Sequence, residues 1–153
     1  MTSKPTKAAV DDFLAQDVLA LAGASRGGKK FGSVILRELL GKGYRVHPLH
    51  PEATELEGRT AYRALADLPE PVGGLVLVVP KPQAAALVGE AAKAGIARVW
   101  LQQGAESPEA EALAKEKGLA YVGGECLLMF LRDTGFLHRA HRWVNGVFGR
   151  LPA

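Results

Sequence analysis

Two kinds of apolar pattern alternate along this chain. Val18-Leu19-Ala20-Leu21-Ala22 and Leu75-Val76-Leu77-Val78-Val79 are unbroken apolar runs, short enough for strands and typical of strands buried on both faces. Ala97 to Gln102 and Leu119 to Val122 read the same way. Tyr44 to Leu49 reads as a further strand, cut off by Pro48 and Pro51. Between these runs the period changes to that of a helix. Lys7 to Gln16 places Val10, Phe13 and Leu14 on one side of a short amphipathic helix. Val34, Ile35, Leu36, Leu39 and Leu40 predict a helix that Gly41 and Gly43 end. Gln83 to Ala94 is Ala-rich and helical, and Gly95 closes it. Ser107-Pro108-Glu109 combines a capping Ser, a Pro at the first helical position and acids in the first turn. That helix runs to Lys117 and stops at Gly118. A short apolar segment, Cys126 to Leu131, and a last helix from about Leu137 to Phe148 complete the order.

Strands that alternate with helices predict an α/β fold with right-handed crossovers. The expected architecture is a Rossmann-like doubly wound parallel sheet of about five strands in a single domain, 1–153. It divides into an N-terminal helix (7–16), a βα core (17–124) and a C-terminal helical extension (125–153). Ligands of such sheets bind beyond the carboxyl ends of the strands, near the topological switch point. The loops that matter are therefore 23–32, 47–52, 80–82, 102–106 and 123–126.

Composition narrows the class. The chain has 153 residues, 48% hydrophobic and 23% charged, an ordinary globular balance that argues against disorder. One cysteine excludes an intrachain disulfide or a Cys-rich zinc cage. Residues 1–12 show no apolar run of a secretory leader, and no stretch approaches the roughly 20 apolar residues of a membrane span. A cytoplasmic domain with no membrane role is expected. The net charge of +3 is too weak to imply nucleic acid. Its distribution is uneven: 26–45 is basic through Arg26, Lys29, Lys30, Arg37, Lys42 and Arg45, and 132–150 is basic through four arginines. Two local clusters point to an anionic partner of limited size, against the plainer reading of solvated helix faces.

The loop Gly23-Ala24-Ser25-Arg26-Gly27-Gly28-Lys29-Lys30-Phe31-Gly32 follows the first strand and opens a helix. Glycines let backbone N–H groups approach an anion, and the helix N-terminus favours negative charge. Arg26, Lys29 and Lys30 add full charges. The loop is neither G-x-G-x-x-G nor a Walker loop. At the end of the second strand an NAD site wants an acid for the ribose hydroxyls. This chain has His47-Pro48-Leu49-His50-Pro51 there, which tolerates the phosphorylated ribose of NADP or coenzyme A. Pro48 prevents a helical histidine pair and no further ligand is placed near, so a metal site is not expected.

Gln102 and Gln103 end the fourth strand and can hydrogen-bond but not ionise. His138, His141, Arg139 and Arg142 suggest a surface patch on the last helix. Gly23-Ala24-Ser25-Arg26-Gly27 formally matches a nucleophile elbow, but an α/β-hydrolase needs a longer chain with an acid and a His after later strands, and the candidate His residues here lie on the terminal helix. No catalytic constellation emerges.

Four motifs occur in order: Gly23-Ala24-Ser25, Gly43-Tyr44-Arg45-Val46 with His47-Pro48, Trp100-Leu101-Gln102-Gln103-Gly104, and Gly124-Glu125-Cys126. Over roughly Asp17 to Leu131 the chain resembles the small stand-alone CoA-binding domain proteins of bacteria. Their fold is also that of the N-terminal domain of the succinyl-CoA synthetase α subunit. The resemblance implies that Gly23, Ala24, Ser25, Arg26, Lys29 and Lys30 hold phosphates of coenzyme A. It implies that His47, Pro48 and His50 flank the adenosine or its phosphate. Pro80 and Lys81, then Gln102 and Gln103, would line the pantetheine side. The family often has Val-Asn-Pro where this chain has Leu49-His50-Pro51. Ligase activity does not carry over, because the synthetase needs a second domain and a partner subunit.

The expected function is non-catalytic binding of coenzyme A or acyl-CoA. The alternative is an NADP- or NAD-binding redox sensor or small reductase, which the acid-free strand end and the missing Tyr-Lys pair disfavour. Cys126 has two readings. It is a small apolar residue of a packed segment, or a redox thiol at a helix start able to form a mixed disulfide with coenzyme A.

Overall fold

The computed structural model describes residues 4–131. The elements are α1 (Lys7–Leu14), β1 (Val18–Ala22), α2 (Phe31–Gly41), β2 (Arg45–Leu49), β3 (Glu55–Leu56), β4 (Arg59–Thr60), a 3-10 turn (Leu65–Asp67), β5 (Gly74–Leu77), α3 (Lys81–Lys93), β6 (Arg98–Gln102), α4 (Pro108–Glu116) and β7 (Ala120–Glu125). The backbone at 127–131 is again helical. The last helix expected from the sequence, with its His and Arg residues, lies outside the described residues.

Five strands form one parallel sheet in the order β2-β1-β5-β6-β7. The chain winds outward from β1 to β2, then returns to lay β5 on the other side of β1. The switch point is therefore the β1/β5 boundary, and a crevice opens beyond the carboxyl ends of those two strands.

The unbroken apolar runs are explained by burial on both faces. Leu19, Leu21, Val76 and Trp100 face Phe13, Ile35, Leu36 and Leu39 of α1 and α2. Their neighbours Ala20, Ala22, Leu75, Leu77, Val99 and Leu101 face Ala84, Val88 and Ala91 of α3 and Ala110 and Ala114 of α4. Alanine on those helix faces lets the helices approach the sheet closely. Trp100 is fully buried between Phe13 and Phe130, both edge-on at 5.4 and 5.6 Å. Its indole Nε1 donates to the Glu125 carbonyl at 3.1 Å.

Several boundaries differ from the sequence expectation for physical reasons. Pro48 does not stop β2 but lies within it, paired with Leu21. This is tolerated because β2 is an edge strand. Pro82 does not end a strand but sits in the first turn of α3, where a missing N–H costs nothing. β5 stops at Leu77, leaving Val78 and Val79 as loop. β7 extends to Glu125, with a register shift opposite Leu101 and Gln102. Residues 52–73, without a legible period, form the β3–β4 hairpin and the 3-10 turn. The hairpin returns the chain so that Tyr62 N–H donates to the Pro48 carbonyl and His50 N–H to the Tyr62 carbonyl.

Candidate functional site

The crevice over β1 and β5 is built by close backbone contacts. Gly23 ends the β1 turn at φ +120°, and a Cβ there would fall 2.1 Å from the Val78 carbonyl oxygen. A Cβ on Gly32 would fall 2.3 Å from the Gly23 carbonyl oxygen. Only glycine at these two positions lets the first turn of α2 rest on the loop and the loop rest on the end of β5. Ser33, fully buried, receives the Ser25 N–H on its Oγ at 2.9 Å. Gly28 N–H donates to the Ser25 carbonyl at 3.1 Å. The amides of Phe31 and Gly32 have no backbone acceptor among the described residues. They remain free donors at the positive end of the α2 dipole.

Two adjoining cavities occupy this edge. One, of about 450 Å³, is lined by Gly23, Lys30, Phe31, Val78, Pro80, Gln102, Gln103 and neighbouring residues. The other, of about 490 Å³, is lined by Gly23, Ala24, Lys30, His50, Arg63, Pro80, Gln83 and their neighbours. They share Gly23, Lys30, Val78, Val79 and Pro80. The result is one elongated cleft, with the loop and the start of α2 at its middle.

Of the residues singled out from sequence, Gly23, Ala24, Lys30, His50, Pro80, Gln102 and Gln103 come together on this cleft. Gln102 is buried, and its Oε1 accepts the Leu127 N–H at 3.0 Å, so it also ties the last described segment to β6. His50 Nδ1 accepts the N–H groups of Glu52 and Ala53 at 3.0 and 2.8 Å. That nitrogen therefore carries no proton, and the ring's N–H is at Nε2. Ser25 turns its hydroxyl towards Ser33 at 3.4 Å. Arg26, Lys29 and Lys81 are exposed beside the cleft. Arg26 pairs with Glu52 at 3.3 Å across its rim.

His47, Pro48 and Cys126 are not brought to it. Pro48 is buried in β2. His47 Nε2 lies 2.6 Å from Glu70 Oε2 and edge-on to Tyr62, while Arg45 holds the other Glu70 oxygen at 2.8 Å. The His47 hydrogen bond, then Arg45, keeps the Glu70 carboxyl below its usual range. Cys126 is half-buried and lines neither cavity.

Sequence reasoning missed Arg63, Phe31, Gln83, Leu87 and Glu90, all on the cavity walls. Gln83, Leu87 and Glu90 recur at i, i+4, i+7 on α3 and form one stripe, a signal present in the sequence. Arg63 carried no such signal, because only the hairpin's return path brings it to the cleft. Among the described residues no three His, Cys, Asp or Glu side chains come together as a metal site, and no helix is long and apolar enough to cross a membrane.

Known proteins are similar to this chain in sequence or in fold. A conserved hypothetical protein from Pyrococcus furiosus is 38% identical with a TM-score of 0.70, over 73% of this chain and 97% of that one. A dinucleotide-forming acetyl-coenzyme A synthetase from Ca. Korarchaeum cryptofilum is 29% identical with a TM-score of 0.63, over 70% of this chain and 26% of its own. A trans-feruloyl-CoA synthase from an unknown prokaryotic organism is 28% identical over 130 residues, which are 77% of this chain and 18% of that protein. This chain thus spans less than a fifth of the curated relative and about a quarter of the synthetase. Residues 17–132 match the family described as CoA binding domain, and with the five-stranded sheet and its cleft already in place, the chain belongs to that family.

Proposed function

We propose that this chain binds coenzyme A or an acyl-CoA in the cleft over β1 and β5 and performs no chemistry on it. The observation that carries the reading is the junction of Gly23, Gly32 and Lys30. It presents free α2 amides and a cation where the two adjoining cavities meet. A diphosphate is the part of coenzyme A that suits such a place. On this reading the adenosine and its 3′-phosphate extend towards His50 and Arg63. The pantetheine extends towards Gln102 and Gln103, which offer hydrogen-bonding groups for its amides. The two longer relatives are by name enzymes of CoA thioester formation. The segment shared with them is a small part of each, so the ligand is carried over and the synthesis is not.

Calorimetric titration with coenzyme A, dephospho-CoA, NADP and NAD tests this. Coenzyme A is expected to bind tightest. Replacing Arg26 and Lys29 together by Ala should weaken it by about 1–3 kcal/mol, the range for charge-assisted contacts. Lys30→Ala should cost more than Lys29→Ala, since Lys30 lines both cavities. Binding of NADP without coenzyme A would favour the redox-sensor alternative and end this reading.

A further inference from the structure

The β3–β4 hairpin contains a local contradiction. Leu56 pairs with Arg59, so Glu57 and Gly58 alone form the turn. Both have positive φ, +49° and +76°, the pattern of a type I′ turn. Such turns favour Asn-Gly or Asp-Gly, whose short side chains tolerate left-handed backbone. Among the described residues Glu57 is the only non-glycine with positive φ.

The longer side chain reaches something a short one would not. Glu57 Oε2 lies 3.1 Å from Arg37 Nη1, on α2. The same Nη1 donates to the Gly28 carbonyl at 3.0 Å. A Cβ on Gly28 would lie 3.2 Å from Glu57 Oε2 and 3.3 Å from Nη1, so turn, helix and loop meet at one point. Gly28 is also the residue whose N–H closes the turn back to Ser25, two residues ahead of Lys30. We propose that Glu57 is a positioning residue for the phosphate loop, acting through Arg37. The carboxylate fixes the guanidinium, the guanidinium fixes the Gly28 carbonyl, and the loop's cations and amides are thereby aimed into the cleft before a ligand arrives. The reach to Arg37 is what the strained turn residue supplies and a short Asn or Asp would not. This rests on the coenzyme A reading of the loop.

The test compares wild type with Glu57→Asn and Arg37→Met, and with the double variant. Three quantities are measured on each: coenzyme A affinity by calorimetry, midpoint of thermal unfolding, and hydrogen exchange of the Gly28 amide by NMR without ligand. Asn suits the turn but cannot reach Arg37. Glu57→Asn should therefore unfold no earlier than wild type, yet bind coenzyme A about fivefold more weakly, the upper end of what a half-exposed ion pair supplies. Its Gly28 amide should exchange faster. The double variant should be no weaker than Arg37→Met alone. Unchanged affinity, or a loss that only tracks a fall in thermal stability, would overturn the proposal. If wild type binds no coenzyme A, the ligand reading fails instead, and Gly28 exchange still decides whether Glu57 orders the loop.

Discussion

Gly32→Ala sets two effects of known sign against each other. Alanine is favoured over glycine in a helix by up to about 1 kcal/mol, and Gly32 is the second residue of α2. Propensity alone therefore predicts a gain. Geometry predicts the reverse. The new Cβ would lie 2.3 Å from the Gly23 carbonyl oxygen, 2.4 Å from its carbon and 2.8 Å from the Ala24 nitrogen. These are backbone atoms, unable to swing aside, and relief requires α2 or the loop to move by about 1 Å. Overpacking of this kind costs about 1–3 kcal/mol. The propensity gain is reduced in the first turn, so the clash wins, with a net loss of about 1–2 kcal/mol. For a chain of this size that lowers the unfolding midpoint by roughly 3–6 °C. On the proposed reading the same displacement shifts the amides of Phe31 and Gly32 that would meet the diphosphate, and coenzyme A affinity should fall by about tenfold. Gly41→Ala is the matched control: it lies at the other end of the same helix, and a Cβ there would meet nothing within 4 Å. It should be neutral or stabilising by up to about 1 kcal/mol, with affinity unchanged. Denaturant titration and calorimetry on the pair decide the matter. A Gly32→Ala protein as stable as wild type with undiminished affinity would show that the close contact does not shape the site.

Three further perturbations follow from side-chain contacts. His50→Asp keeps an acceptor for the Glu52 and Ala53 amides but puts a carboxylate on the cavity wall, so coenzyme A should weaken more than dephospho-CoA; equal losses would place the 3′-phosphate elsewhere. Glu70 is held below its ordinary value of 4.5, so its ionised form stabilises the fold at neutral pH. That contribution is lost as pH falls below about 4.5 through the folded value, and Glu70→Gln should flatten this part of an acid titration; an unchanged profile would show that the His47–Glu70–Arg45 cluster contributes no stability. The buried Tyr44 hydroxyl donates to the Leu14 carbonyl at 2.5 Å and holds the end of α1 to the core. Tyr44→Phe should cost about 1–2 kcal/mol in denaturant unfolding, and a neutral result would mean the carbonyl finds another donor.

The sheet and its helices were legible in the sequence because their determinants are local. A strand buried on both faces must be apolar at every position, and Val18–Ala22 and Leu75–Leu77 show it directly. Amphipathic α1 and the capped start at Ser107 are equally self-contained, and the Ser107 Oγ does accept the Ala110 N–H. The turn between β1 and α2 was legible from its glycines, which sit between an apolar run and a helical period.

What escaped depends on partners distant in sequence. Whether Pro48 ends a strand or rides within one depends on β2 being at the sheet edge, which only the strand order decides. His47 and His50 look equivalent in the sequence, two histidines flanking prolines. Alternation along β2 and the return of residues 62–70 give the first to Glu70 and leave the second on the cleft. Arg63 reaches the cavity and Glu57 reaches Arg37 only because a two-residue turn folds the intervening segment back. Residue types and their period therefore determined the elements of this protein. Which side chains share one cleft was decided by the order in which the chain lays its strands, since that order alone sets the neighbours across the sheet.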